Sequence, residues 1–154
     1  MENKNVNLQI SIKQIVDLIL QLPKSEQENI IKRISTQKEK TGNRYTEFSG
    51  KINGFHFLEQ NWDSYNADTI SDKAIKKAIS VLDRIIQTTQ SHSIKLHVFP
   101  MRNGGIQFEL DNENLSFEIE IDTNGILKFI RFDEEGNILE EINNFEINIL
   151  FCNY

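Results

Sequence analysis

Residues 105–132 read GIQFELDNENLSFEIEIDTNGILKFIRF, and the patterning of this stretch decides the fold. Leu115, Phe117, Ile119 and Ile121 alternate with Ser116, Glu118, Glu120 and Asp122. That period of two belongs to a strand with one packed side and one wet side. Asn103-Gly104, Asp111-Asn112, Asn124-Gly125 and Gly136-Asn137 punctuate the surrounding chain with residues that tolerate positive φ. They divide it into candidate strands at 94–99, 105–110, 115–121, 126–132, 138–142 and 145–151. Connections this short impose antiparallel pairing.

Upstream, the period changes. Ser71 is placed to cap a helix over about 72–88, with Ala74, Ile75, Ala78, Ile79, Leu82, Ile85 and Ile86 along one face. This helix is expected to cover the packed side of the sheet. At the N-terminus, Val6, Leu8 and Ile10 alternate with Asn5, Asn7 and Gln9, which predicts a short strand. Ser11 then opens an apolar helical pattern that Pro23 ends, and Ser25 with Glu28 reads as the capping box of a second helix. The polar, basic run 35–44 (STQKEKTGNR) reads as a linker or frayed helix end, and Gly50 and Gly54 argue against a long helix beyond it. Residues 61–71 (NWDSYNADTIS) read as an ordered loop. The expected fold is α+β: an N-terminal strand-helix-helix followed by an antiparallel sheet of five to six strands packed against one long helix. The expected division is a dimerisation or DNA-binding arm over 1–40 and an acidic sheet domain over 45–154.

Composition limits the function. With 154 residues, 38% of them hydrophobic and ten of them Phe, the chain can fill one core and carry a small appendage. The single cysteine, Cys152, has no partner for an internal disulfide and suits a reducing compartment. The first ten residues lack a secretory signal pattern, and the apolar stretch 15–22 is far short of the roughly 20 residues that span a bilayer. A cytoplasmic protein with no membrane partner is expected. The net charge of -6 is unevenly spread. Residues 1–44 hold eight Lys/Arg against five Asp/Glu, whereas residues 103–154 hold two against twelve. Such asymmetry points to different partners for the two ends.

Catalytic patterns are sparse. His56, His92 and His97 include no pair at the i, i+4 spacing of a helical zinc site, and phosphate-loop and dinucleotide fingerprints are missing. Asp63, Asp68 and Asp72 have a calcium-loop flavour, but Tyr65 and Ala67 stand where oxygen ligands are needed. Asp72 is better placed as a charge at a helix N-terminus. Glu109, Glu118 and Glu120 fall on neighbouring strands, where an acid/base pair would need an apolar enclosure to separate its pKa values. A binding protein without catalytic residues, metal or cofactor is therefore expected, and a hydrolase built on Glu109, Glu118 and Glu120 ranks third, behind two non-catalytic readings.

Two resemblances add to this. Residues 6–34 (VNLQISIKQIVDLILQLPKSEQENIIKRI) resemble the opening segment of small bacterial antitoxins from protein-neutralised toxin–antitoxin pairs. The order strand, helix, helix is also similar to that of the ribbon-helix-helix DNA-binding fold. The resemblance implies a homo-oligomer that neutralises a cationic toxin and presents Asn5, Asn7 and Gln9 to operator DNA. Trp62-Asp63-Ser64-Tyr65-Asn66-Ala67, Ile70-Ser71 and the stretch 100–109 (PMRNGGIQFE) resemble a bacterial protein family marked by a WDxYxA loop and a GGI hairpin. That likeness implies a shared fold and brings no assignment of activity with it. In the toxin-binding reading, Trp62 and Tyr65 are the aromatic anchors, and Glu109, Glu118, Glu120, Asp122, Glu134 and Glu135 are the steering acids. The alternative is a non-catalytic structural or accessory subunit of a larger bacterial assembly, such as one acting in phage defence.

Overall fold

A computed structural model describes residues 11–89, 94–112 and 115–147. The protein is α+β. Helices α1 (Ile12–Leu20), α2 (Lys24–Gly54) and α3 (Asp72–Thr88) precede strands β1 (Lys95–Pro100), β2 (Ile106–Asn112), β3 (Leu115–Ile121), β4 (Leu127–Phe132) and β5 (Ile138–Asn143). The strands form one antiparallel sheet in the order β1-β2-β3-β4-β5. The expected strand at 6–10, with Asn5, Asn7 and Gln9, lies outside the described residues. Of the expected sixth strand, residues 145–147 are not in the sheet and the rest lie outside the described residues. By internal contacts the chain divides into units at 1–39 and 40–154.

In the first unit, Ser11 and Gln14 form a reciprocal capping box, with Ser11 N donating to Gln14 Oε1 at 2.8 Å and Gln14 N to Ser11 Oγ at 3.3 Å. The second helix begins earlier than the expected Ser25–Glu28 box. The Pro23 carbonyl accepts the amides of Glu26 and Gln27, so the helix is already under way at Lys24. Gln27 Nε2 then reaches back to the carbonyls of Leu20 (3.2 Å) and Leu22 (2.8 Å), tying the two helices together. The expected linker at 35–44 is instead continuous α-helix, as is the chain through Gly50. A glycine inside a helix costs about 1 kcal/mol, a penalty that docking of the C-terminal turns outweighs. Ile52, fully buried in α2, and Phe55, just beyond it, belong to the core of the second unit.

That core is the sheet's apolar side. Register places Val98, Phe108, Ile119, Phe129 and Ile142 in one row across all five strands. Ala74, Ala78, Val81, Leu82 and Ile85 of α3 join the same buried cluster, with no exposed surface. Val81 takes a buried place that the helical pattern had assigned to Ile79, which is half-buried. The cover is also broader than the single helix expected, because Ile52 of α2 contributes to it.

Three turns share one construction. Asp63, Asp122 and Asp133 each use Oδ1 to accept the amides two and four residues on, at 2.7–3.2 Å. The residue at the third position has positive φ in every case: Asn66 at 65°, Gly125 at 83° and Gly136 at 83°. Asp is suited to this because its short carboxylate reaches back to its own backbone. Among the described residues, no helix is long and apolar enough to cross a membrane.

Candidate functional site

Strand alternation puts the carboxylates of β2 and β3 on the side of the sheet opposite the core. Register aligns His97, Glu109, Glu118, Ile130 and Glu141 in one row, and Phe99, Gln107, Glu120, Lys128 and Asn143 in the next. Glu109 and Glu118 are therefore direct cross-strand neighbours of like charge, an arrangement that destabilises a sheet. Burial pushes the Glu118 carboxyl above its ordinary value, and the charges of Glu109, Glu120 and Asp111 push it further. Lys128 opposes this only in part. Its ammonium lies 3.9 Å from Glu120 and 3.5 Å from Glu141. On β1, His97 and Phe99 stack with ring centres 6.1 Å apart, and the Lys51 ammonium lies 5.1 Å from the Phe99 ring centre. The result is an acidic strip bordered by an aromatic edge.

The other predicted acids lie elsewhere. Asp122 is in the β3–β4 turn, where its carboxylate holds the amides of Asn124 and Ile126. Glu134 and Glu135 occupy the β4–β5 turn, at the other end of β4. Six residues of strand separate the two turns, about 20 Å. Glu109, Glu118 and Glu120 are thus brought together, and Asp122, Glu134 and Glu135 are not brought to them.

At the Asp122 end, the loop 61–68 is clamped to the β1–β2 turn. Arg102 Nε donates to Asp63 Oδ2 and Asp68 N to the Arg102 carbonyl at 2.8 Å, while the Trp62 indole N–H donates to the Asp68 carbonyl at 3.0 Å. Trp62 is half-buried, whereas Tyr65 is 76% exposed with the Arg102 guanidinium 5.0 Å from its ring centre. The two aromatics therefore divide their work: Trp62 braces the loop and Tyr65 is presented to solvent. Burial would raise the Asp63 carboxyl, but the Tyr65 amide, Arg102 and the Ala67 amide together hold it below its ordinary value. The Asp63 oxygens accept from two amides and a guanidinium. Among the described residues no group of three or more metal-ligating side chains converges.

Arg102 was missed by sequence reading, although it lies inside the quoted hairpin. The available signal was its place between Met101 and the Asn103-Gly104 turn, but nothing local tells which acid it meets 39 residues away. Next to this clamp, an open groove of about 860 Å³ is lined by His56, Phe57, Ser71, Asp72, Lys73 and Thr123, among others. His56 Nδ1 lies 3.2 Å from Asp72 Oδ1 there, with both side chains well exposed.

Comparisons with protein-family models, with curated proteins and with solved structures find no match for this chain.

Proposed function

We propose that this chain is an antitoxin-like binding protein whose sheet domain covers a cationic surface on a partner protein. The observation carrying this reading is the opposition of Glu109 to Glu118, with Glu120 beside them. The fold holds these like charges together at a cost to itself. A partner bearing Lys or Arg would relieve that repulsion on docking, and an RNA-cleaving toxin that holds phosphates carries such a surface. Long-range attraction speeds encounter, while affinity comes from desolvated anchors such as Tyr65 and Phe99. Asp122, Glu134 and Glu135 extend the negative field without touching the same partner residues.

The test is the association rate with the candidate toxin across ionic strength. A steep fall with added salt, flattened in an E109Q/E118Q/E120Q variant, supports the reading. A rate indifferent to salt overturns it. Operator binding through Asn5, Asn7 and Gln9 belongs to the same proposal. A gel shift with upstream promoter DNA checks it, comparing the full chain with one lacking residues 1–40. Equal retardation by both, or by neither, removes the DNA role.

A structural subunit of a larger assembly is the second reading, favoured by the exposed aliphatic side chains of α1 and early α2. Co-purification from the native host separates the two: a single small basic protein speaks for the first, a set of stoichiometric subunits for the second.

A further inference from the structure

Strand β1 borders the acidic strip, and its outward residues differ in kind from those of β2 and β3. Register sets His97 directly across from Glu109 and Phe99 across from Gln107, on the side away from the core. The His97 and Phe99 ring planes lie 24° apart, so the two rings make one nearly flat wall. Phe99 is 40% exposed. A cation already rests on it. The Lys51 ammonium stands 5.1 Å from the ring centre, inside the roughly 6 Å over which a ring face attracts positive charge.

The acids beside this wall are the ones without counter-ions. Glu120 and Glu141 share Lys128, and Glu140 has Arg131. Among the described residues, no cation forms an ion pair with Glu109 or Glu118. One Glu109 oxygen accepts from Gln107 Nε2 at 3.1 Å, a neutral donor that leaves the charge in place. Neighbouring strands lie about 4.8 Å apart, so the ring wall and both carboxylates fall within about 10 Å.

An ammonium suits that combination poorly. It is compact and strongly hydrated, and it must shed water to touch a ring while it pairs with an acid. A guanidinium is planar and more weakly hydrated. Its face stacks on an aromatic ring while its five N–H groups donate in the plane, towards carboxylates at the side. Stacked rings next to two uncompensated carboxylates fit that shape.

We infer that the strip selects arginine: the guanidinium of a partner side chain stacks on Phe99, backed by His97, and donates to the carboxylates of Glu109 and Glu118. This rests on the reading that the sheet docks a cationic protein, and it names the side chain received and the residue, Phe99, that sets the preference over lysine.

Amide NMR titrations of the full-length chain with acetylated tetra-arginine and tetra-lysine peptides, at equal ionic strength, test this. Both carry the same charge, so bulk attraction is matched. Tetra-arginine is expected to bind about fivefold tighter and to shift the amides of Phe99, Gln107, Glu109 and Glu118. F99L keeps an apolar side chain but no ring. It is expected to bring the two peptides to parity by weakening tetra-arginine alone. E109Q/E118Q weakens both. The spectrum of each variant shows whether it is folded, and the comparison of peptides on the parent chain stands without either variant. Equal affinity of the two peptides at the strip overturns the arginine inference and leaves the docking reading intact. So does a preference that survives in folded F99L. Peptides that leave the strip amides unmoved overturn both.

Discussion

The side chain of Arg102, at the turn between β1 and β2, donates its Nε–H to the carboxylate of Asp63, 39 residues earlier in the chain. The other oxygen of that carboxylate accepts the amides of Tyr65 and Ala67. One acid thus shapes its own loop and fastens that loop to the sheet. Tyr65 owes its exposed position to this clamp.

Removing the clamp should loosen the loop before it affects the sheet. In D63A, the amides of Tyr65 and Ala67 are expected to exchange about tenfold faster, while those of β2 and β3 keep their protection. Hydrogen exchange read residue by residue checks this. Equal acceleration in the strands would show that the clamp supports the whole fold.

The same carboxylate makes a signed prediction for pH. Its folded value is lowered from 3.8, so its stabilisation is fully present above that ordinary value and is lost as pH falls through the lower folded value. The difference in thermal midpoint between the parent and D63N should be largest near neutral pH and should close in strong acid. A constant difference would mean that the contribution of Asp63 does not come from its charge.

Glu118 should behave with the opposite sign. Its folded value is raised from 4.5, by burial first and then by Glu109, Glu120 and Asp111. Its ionised form therefore costs stability at neutral pH, and the cost disappears as pH falls through the raised value towards 4.5 and below. E118Q is expected to stabilise the protein by about 0.5 kcal/mol at neutral pH, a modest figure because solvent screens the half-buried site. Denaturant unfolding at neutral pH and at about pH 4 measures it. A destabilised E118Q at neutral pH would contradict the repulsion.

The hairpin leaves no room at Gly105. A Cβ there would collide with the carbonyl oxygen of Ile121 on the neighbouring strand, and one on Gly104 would come within 2.8 Å of the Thr69 carbonyl. Gly104 also has a φ of 83°. G105A is expected to cost about 1–3 kcal/mol in denaturant unfolding. F108A, removing a fully buried ring from the middle of the sheet, should cost about 3–5 kcal/mol.

Local pattern carried the sheet. Alternation at 115–121 and the turn pairs around it give strand identity, antiparallel sense and the side on which Glu118 and Glu120 stand, because side-chain direction in a strand repeats every two residues. The cap and apolar face of α3 were readable for the same kind of reason, with Val81 and Ile79 exchanged at the margin. The course of α2 was not readable. Gly42, Gly50 and Gly54 lower helix propensity locally, and only the docking of Ile52 and Phe55 in the core outweighs them.

The sequence by itself determined that this protein is α+β, that its sheet is antiparallel, and that the strand-borne acids share a side, since periodicity and turn chemistry act between near neighbours. Tertiary structure alone decided which acids meet across strands and that Asp63 finds Arg102. Those relationships depend on strand register and on closing a 39-residue gap. No local spacing encodes either: they follow from the packing that minimises exposed apolar surface across the whole domain.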